Sequence, residues 1–80
     1  MNSKRELAYS QGTAVTPSDT VAIPTGMTRA LWVGGAGNVR AIMGGAEVNF
    51  IAVPAGTLLK IACTRVNATG TTATNIVALN

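Results

Sequence analysis

From Ser18 to Asn80 the chain is cut, about every eight to twelve residues, by clusters of Gly, Pro, Asn and Thr that separate short β-branched and apolar runs. That punctuation constrains the fold most, because the runs are too short for ordinary helices and of the right length for strands. Six strands are predicted, at Thr20–Ile23, Thr28–Val33, Asn38–Met43, Val48–Val53, Leu58–Val66 and Asn75–Leu79. No helix is predicted. Gly44-Gly45 supplies positive-φ positions for a tight connection, and Gly34-Gly35-Ala36-Gly37 reads as a hairpin turn. Ile23-Pro24-Thr25-Gly26 and Val53-Pro54-Ala55-Gly56 both fit a type I turn with Pro second and Gly fourth. The expected fold class is all-β, a small β-sandwich or barrel of about six short antiparallel strands over residues 16–80. Residues 1–15 are polar and without period, and read as a flexible N-terminal arm with Leu7 and Tyr9 as its anchors.

Alternation then says which faces need cover. In Val48–Val53, Val48, Phe50 and Ala52 are expected to oppose Asn49, Ile51 and Val53, leaving both faces substantially apolar. Leu58–Val66 behaves alike, with Leu59, Ile61 and Cys63 opposing Leu58, Lys60, Ala62, Thr64 and Val66. A chain of 80 residues cannot wrap both faces of every strand by itself. The composition agrees: 48% of residues are hydrophobic and 11% charged, against about 25% charged in an ordinary soluble domain. The second face is expected to be covered by further copies of the chain or by a larger assembly, since broad apolar patches are rare on free proteins.

Reactive chemistry is scarce. There is no histidine, which excludes Ser-His-Asp triads and His-containing zinc sites. Cys63 is the single cysteine, suited to a small buried hydrophobe, and Glu6, Asp19 and Glu47 are the only acids. No enzyme activity, cofactor or metal is expected. The basic residues Lys4, Arg5, Arg29, Arg40, Lys60 and Arg65 give a net charge of +3 but form no block, so nucleic acid is not an expected partner. Gly34-Gly35-Ala36-Gly37 does not make a dinucleotide loop, because Arg40 stands where the third glycine would be and no helix follows. Asn67-Ala68-Thr69 matches a glycosylation pattern and reads simply as a Thr-rich loop. Residues 1–15 lack the apolar run of a secretory signal, and no stretch of about 18 apolar residues occurs, so no membrane partner is expected. The expectation is a soluble product of the cytoplasm. Trp32, near Arg29, is the best contact candidate, and the last strand contributes Ile76, Val77 and Leu79. With Leu7 and Tyr9 these make up the candidate assembly contacts.

Three segments carry a resemblance over about residues 16–80. The run from Thr28 through Leu31-Trp32-Val33 to Gly37, then Val53-Pro54-Ala55-Gly56-Thr57, then Arg65 through Asn67-Ala68-Thr69-Gly70 to Leu79, is similar to the head-spike base proteins of tailed phages and phage-derived gene transfer agents. That resemblance implies a small β-structured virion component on the capsid exterior. It would be a homo-oligomer docked on the major capsid protein, in one arrangement a ring at five-fold vertices, carrying a spike fibre. Two alternatives stay open: a decoration or cement protein of the capsid lattice, and a small β-barrel that binds nucleic acid.

Overall fold

The computed structural model describes residues 8–80, and the regular structure among them is entirely β. Seven strands, β1 (Gly12–Ala14), β2 (Ala30–Gly35), β3 (Gly37–Met43), β4 (Ala46–Val53), β5 (Thr57–Leu59), β6 (Arg65–Val66) and β7 (Thr74–Leu79), form two antiparallel sheets ordered β1-β7-β2-β5 and β4-β3-β6. The alternation in β2 shows why: Leu31 and Val33 turn inward and are fully buried, while Trp32 between them turns out. Ile76 and Ala78 of β7 sit opposite Val33 and Leu31, and Val39 and Ala41 meet them from the second sheet. Val53, Cys63 and Val66 close this core. Each fully buried Leu or Val there contributes about 1.5–3 kcal/mol relative to exposure.

Gly44 and Gly45, at φ 58° and 82°, join β3 to β4 as a two-residue hairpin, as the sequence suggests. The other glycine cluster does something different. β2 pairs with β5 and β7 while β3 pairs with β4 and β6, so Gly34–Gly37 is a corner between sheets and not a hairpin turn. The Pro24 turn closes with the Gly26 N–H donating to the Ile23 carbonyl at 3.0 Å, whereas at the Pro54 corner the Gly56 N–H donates across to Val33 at 2.8 Å.

Four further differences have local causes. The expected strand at Thr20–Ile23 is irregular, because the Ser18 hydroxyl accepts the N–H groups of Thr20 and Val21 at 3.2 and 2.9 Å and curls the backbone. Part of the expected arm is β1, which pairs with β7 in the register Gly12↔Leu79 to Ala14↔Val77. In β4, Ala52 takes φ 57° at a register shift opposite Gly37–Val39, and its N–H donates to Asn38 Oδ1 at 2.9 Å. This bulge inverts the alternation, so Val53 is buried and Ala52 exposed, the reverse of the simple period-2 reading.

The run Leu58–Val66 splits into β5 and β6, since Leu59 must pair with Leu31 in one sheet and Val66 with Ala41 in the other. Thr28 holds the irregular crossing. Its N–H donates to the Cys63 carbonyl at 2.9 Å, its hydroxyl donates to the Ile61 carbonyl at 2.9 Å, and that same oxygen accepts the Cys63 N–H at 3.1 Å. Thr28→Val keeps the shape and removes the hydroxyl, leaving buried backbone groups unpaired. It should destabilise the domain by about 1–3 kcal/mol, read as a lower denaturant midpoint with an unchanged m-value.

Candidate assembly surface

The two sheets present unlike outer faces. Across the first, the register aligns Ala14 of β1, Val77 of β7, Trp32 of β2 and Leu58 of β5, one apolar side chain from each strand in a continuous row. Gly12, Leu79 and Ala30 make the next row. Trp32 is 41% exposed at the centre, with Val77, Leu79 and Leu58 half-buried around it. At the Leu79 end, the Arg29 N–H donates to the Leu79 carbonyl at 2.9 Å, the Arg29 guanidinium carbon lies 5.6 Å from the Tyr9 ring centroid, and its Nη1 donates to the Ala8 carbonyl at 3.4 Å.

Of the sequence-derived contact residues, Trp32, Val77 and Leu79 therefore share one face, and Tyr9 and Arg29 sit together at its margin. Ile76 does not join them. It points inward, 3% exposed, because it is one residue out of phase with Val77. Leu7 lies outside the described residues. Leu58 and Ala14, absent from the sequence-derived set, complete the row. The period-2 reading already placed Leu58 opposite Leu59, whereas nothing in Gly12-Thr13-Ala14 marks a strand.

The second sheet turns outward a mixed face, in which Ile51 of β4, 67% exposed, and the half-buried Ile42 of β3 accompany a paired polar network. Arg40 Nε donates to Asn49 Oδ1 at 2.7 Å, Arg65 Nε to Asn67 Oδ1 at 3.0 Å, and Asn67 Nδ2 to Glu47 Oε2 at 2.9 Å. Asn67 is only 4% exposed, so the amide of the apparent glycosylation motif is spent inside this network. Asp19 ties the segment after β1 to the β6–β7 loop, accepting the Thr69 N–H at 2.9 Å and the Thr69 hydroxyl at 2.6 Å. The Thr69 hydroxyl, then the Thr69 N–H, hold the Asp19 carboxyl below its ordinary value of 3.8. A folded pKa below the unfolded one stabilises above the unfolded value and stops doing so as pH falls through the folded value. Thermal melts should therefore show the wild type losing its advantage over Asp19→Asn on acidification below about pH 4. A constant gap at every pH would show that the carboxylate charge is irrelevant to the tie.

Among the described residues, reactive groups do not converge. Cys63 is buried, and burial raises its thiol pKa against the opposing hydrogen bond from Thr28. Among the described residues no three His, Cys, Asp or Glu side chains come together as a metal site would require. No helix among them is long and apolar enough to cross a membrane. A shallow cavity of about 130 Å³ lies between Val15, Val21, Ile23 and Val66, apolar and without a charged side chain. What this molecule offers is surface: a continuous apolar row across one sheet, and on the other a paired polar network with Ile51 exposed beside it.

The chain is similar to a chain in the capsid of a native GTA (gene transfer agent) particle computed with C5 symmetry. The two are 31% identical over 91% of this chain and 84% of that one, with a TM-score of 0.81. No protein-family model matches the sequence, and no curated protein matches it.

Proposed function

We propose that this chain, which belongs to the same protein family as that capsid component, is a non-enzymatic structural protein of a phage or gene-transfer-agent virion. It assembles in several copies on the capsid exterior. The observation that carries this reading is the capsid similarity over nearly the whole domain. The apolar row across β1-β7-β2-β5 supports it, because that row needs a protein surface to cover it. The finer assignment is the head-spike base, an oligomer that docks on the major capsid protein and anchors a spike fibre. In that role the apolar row across β1-β7-β2-β5 meets a neighbouring copy or the shell.

Two experiments divide the alternatives. Imaging of whole particles with and without the protein should show its density confined to five-fold vertices beneath a fibre; density spread over the lattice would make it a decoration or cement protein instead. Filter binding addresses the nucleic-acid reading. Arg40 and Arg65 already engage Asn49 and Asn67, so affinity for DNA should be weaker than about 1 μM at physiological salt; tighter, steeply salt-dependent binding would overturn the structural role.

A further inference from the structure

Two sheets have four outer strands, and three of them are short. β1 and β5 have three residues each and β6 has two, with the Ser18 N–H closing on the Val66 carbonyl at 2.8 Å. β4 has eight residues, Ala46–Val53, with β3 on one side and, among the described residues, no strand on the other. Natural proteins guard such an edge with charges, prolines or bulges. Here the guards are Glu47 and the bulge at Ala52, and Ala46–Phe50 keeps an unbroken register with β3.

The ladder fixes which backbone groups this edge presents. The Asn67 N–H donates to the Arg40 carbonyl at 2.9 Å and the Thr64 N–H to the Ile42 carbonyl at 3.1 Å, so Arg40 and Ile42 turn their backbone groups to the β6 side. Their partners across β3–β4 are Asn49 and Glu47. Such opposed residues exchange no hydrogen bonds in an antiparallel ladder, so the N–H and C=O groups of Glu47 and Asn49 point away from β3 into the open edge. The side chains of Val48 and Phe50, opposite the buried Ala41 and Val39, face the core and are half-buried, while Glu47 and Asn49 lie exposed on the outer face. Their polar groups are incompletely used, and complementary. Arg40 occupies Asn49 Oδ1 and Asn67 occupies Glu47 Oε2, which leaves the Asn49 Nδ2 donor and the Glu47 Oε1 acceptor without a partner among the described residues.

We propose that the β4 edge of the free protein pairs with the β4 edge of a second copy, antiparallel about a twofold axis at Val48. Glu47 of each copy then stands opposite Asn49 of the other, and each such pair exchanges two backbone bonds, about four in all. Across the same pairs Asn49 Nδ2 donates to the free Glu47 oxygen of the second copy, and that carboxylate approaches the positive charge of Arg40 one strand further on. On the core face Val48 meets its own twin, and Ala46 meets Phe50. The neighbouring registers are worse. An axis at Glu47 sets two carboxylates directly opposite each other, and an axis at Asn49 sets Glu47 against the exposed Ile51 beside the bulge. The contact uses one edge twice and closes at two copies, so it leaves the apolar row across β1-β7-β2-β5 open for a shell. It goes beyond the virion reading and does not rest on it.

The test is sedimentation and hydrogen exchange on the full chain over a concentration series of about 1–100 μM. Mass should rise from monomer to dimer, and the Glu47 and Asn49 amides should slow in step with it while those of β1 and β5 do not. Asn49→Asp keeps the oxygen that Arg40 holds but sets a carboxylate opposite Glu47 twice over, and should weaken association roughly tenfold. Adding Glu47→Gln to that variant returns one donor and one acceptor to each pair and should bring association back to within about threefold of wild type. A monomer throughout the series would overturn the pairing, as would β4 amides already slow in the monomer, slowing at β1 or β5 in place of β4, or a dimer indifferent to Asn49→Asp. The wild-type series stands without the variants, should either fold poorly. Any of these results leaves the virion role standing, because that role is judged on whole particles.

Discussion

Replacing Trp32 by aspartate should barely disturb the isolated chain and should remove the protein from assembled particles. The indole is outward, 41% exposed, and stands between Val77 and Leu58 at the middle of the apolar row, so the folded monomer loses only part of one side chain's cover, about 1 kcal/mol or less. In the proposed assembly the same position would be central and dry. A tryptophan anchor at the centre of an interface carries about 2 kcal/mol or more, at least roughly thirtyfold in affinity, and an unpaired carboxylate in its place adds a desolvation penalty. Purified particles should thus lack the variant while its melting temperature falls by only a few degrees. The control is Val21→Asp. Val21 is 66% exposed, more than Trp32, but lies off the sheet face in the segment after β1. Particles that exclude both variants equally would show that added charge, not this face, is responsible.

The same contrast explains what could be read from the sequence. Leu31, Trp32 and Val33 mark a strand, but all three are apolar, so only the fold shows that Leu31 and Val33 turn in and Trp32 out. Where the chain changes sheet, the letters carry less. Gly34-Gly35-Ala36-Gly37 announces unusual backbone freedom, but freedom does not say which strands will pair, and a corner and a hairpin need the same residue. Ala52 is harder still, because nothing about alanine signals φ 57°; the bulge arises from Asn38 capturing its N–H, a contact fourteen residues away. Leu58–Val66 is apolar on both sides, so period alone could not reveal that Thr28 breaks it by drawing Ile61 and Cys63 inward. β1 exists only because β7 offers an edge. The candidate surface inherits these limits: Trp32 and Leu79 share an outer face, whereas Ile76, grouped with them in the sequence, turns in, which only the register shows. On the second sheet, Arg65 meets its near neighbour Asn67, but Arg40 with Asn49 and Asn67 with Glu47 join residues nine and twenty positions apart that only the folded sheet aligns.

Gly37→Ala should remove most of the domain's stability, and it tests the sheet-crossing corner directly. Gly37 has φ 154°, and a Cβ added there would lie 2.5 Å from the Ala73 nitrogen, 2.7 Å from the Thr72 carbonyl carbon and 2.8 Å from the Ala73 Cα. All three are backbone atoms. They cannot swing aside as a side-chain tip would, because the N–H groups of Thr72 and Ala73 both donate to the Asn38 carbonyl, at 2.9 and 3.1 Å. Making room means pulling the start of β3 off the loop that leads into β7, which opens the core at Ala73 and Val39, where both sheets meet. Steric overlap of that kind belongs to the rare class costing about 4 kcal/mol or more, set against a stability near the low end of about 5–15 kcal/mol for so small a domain. Gly45→Ala separates this crowding from backbone preference. Gly45 also has positive φ, 82°, but nothing lies within 4 Å of its added Cβ, so only the left-handed conformation is penalised, by about 1–2 kcal/mol. Urea titrations of the two variants should therefore differ by at least about 2 kcal/mol. Similar losses would mean that the corner yields, and that the close approach of β3 to the β6–β7 loop contributes little to holding the two sheets together.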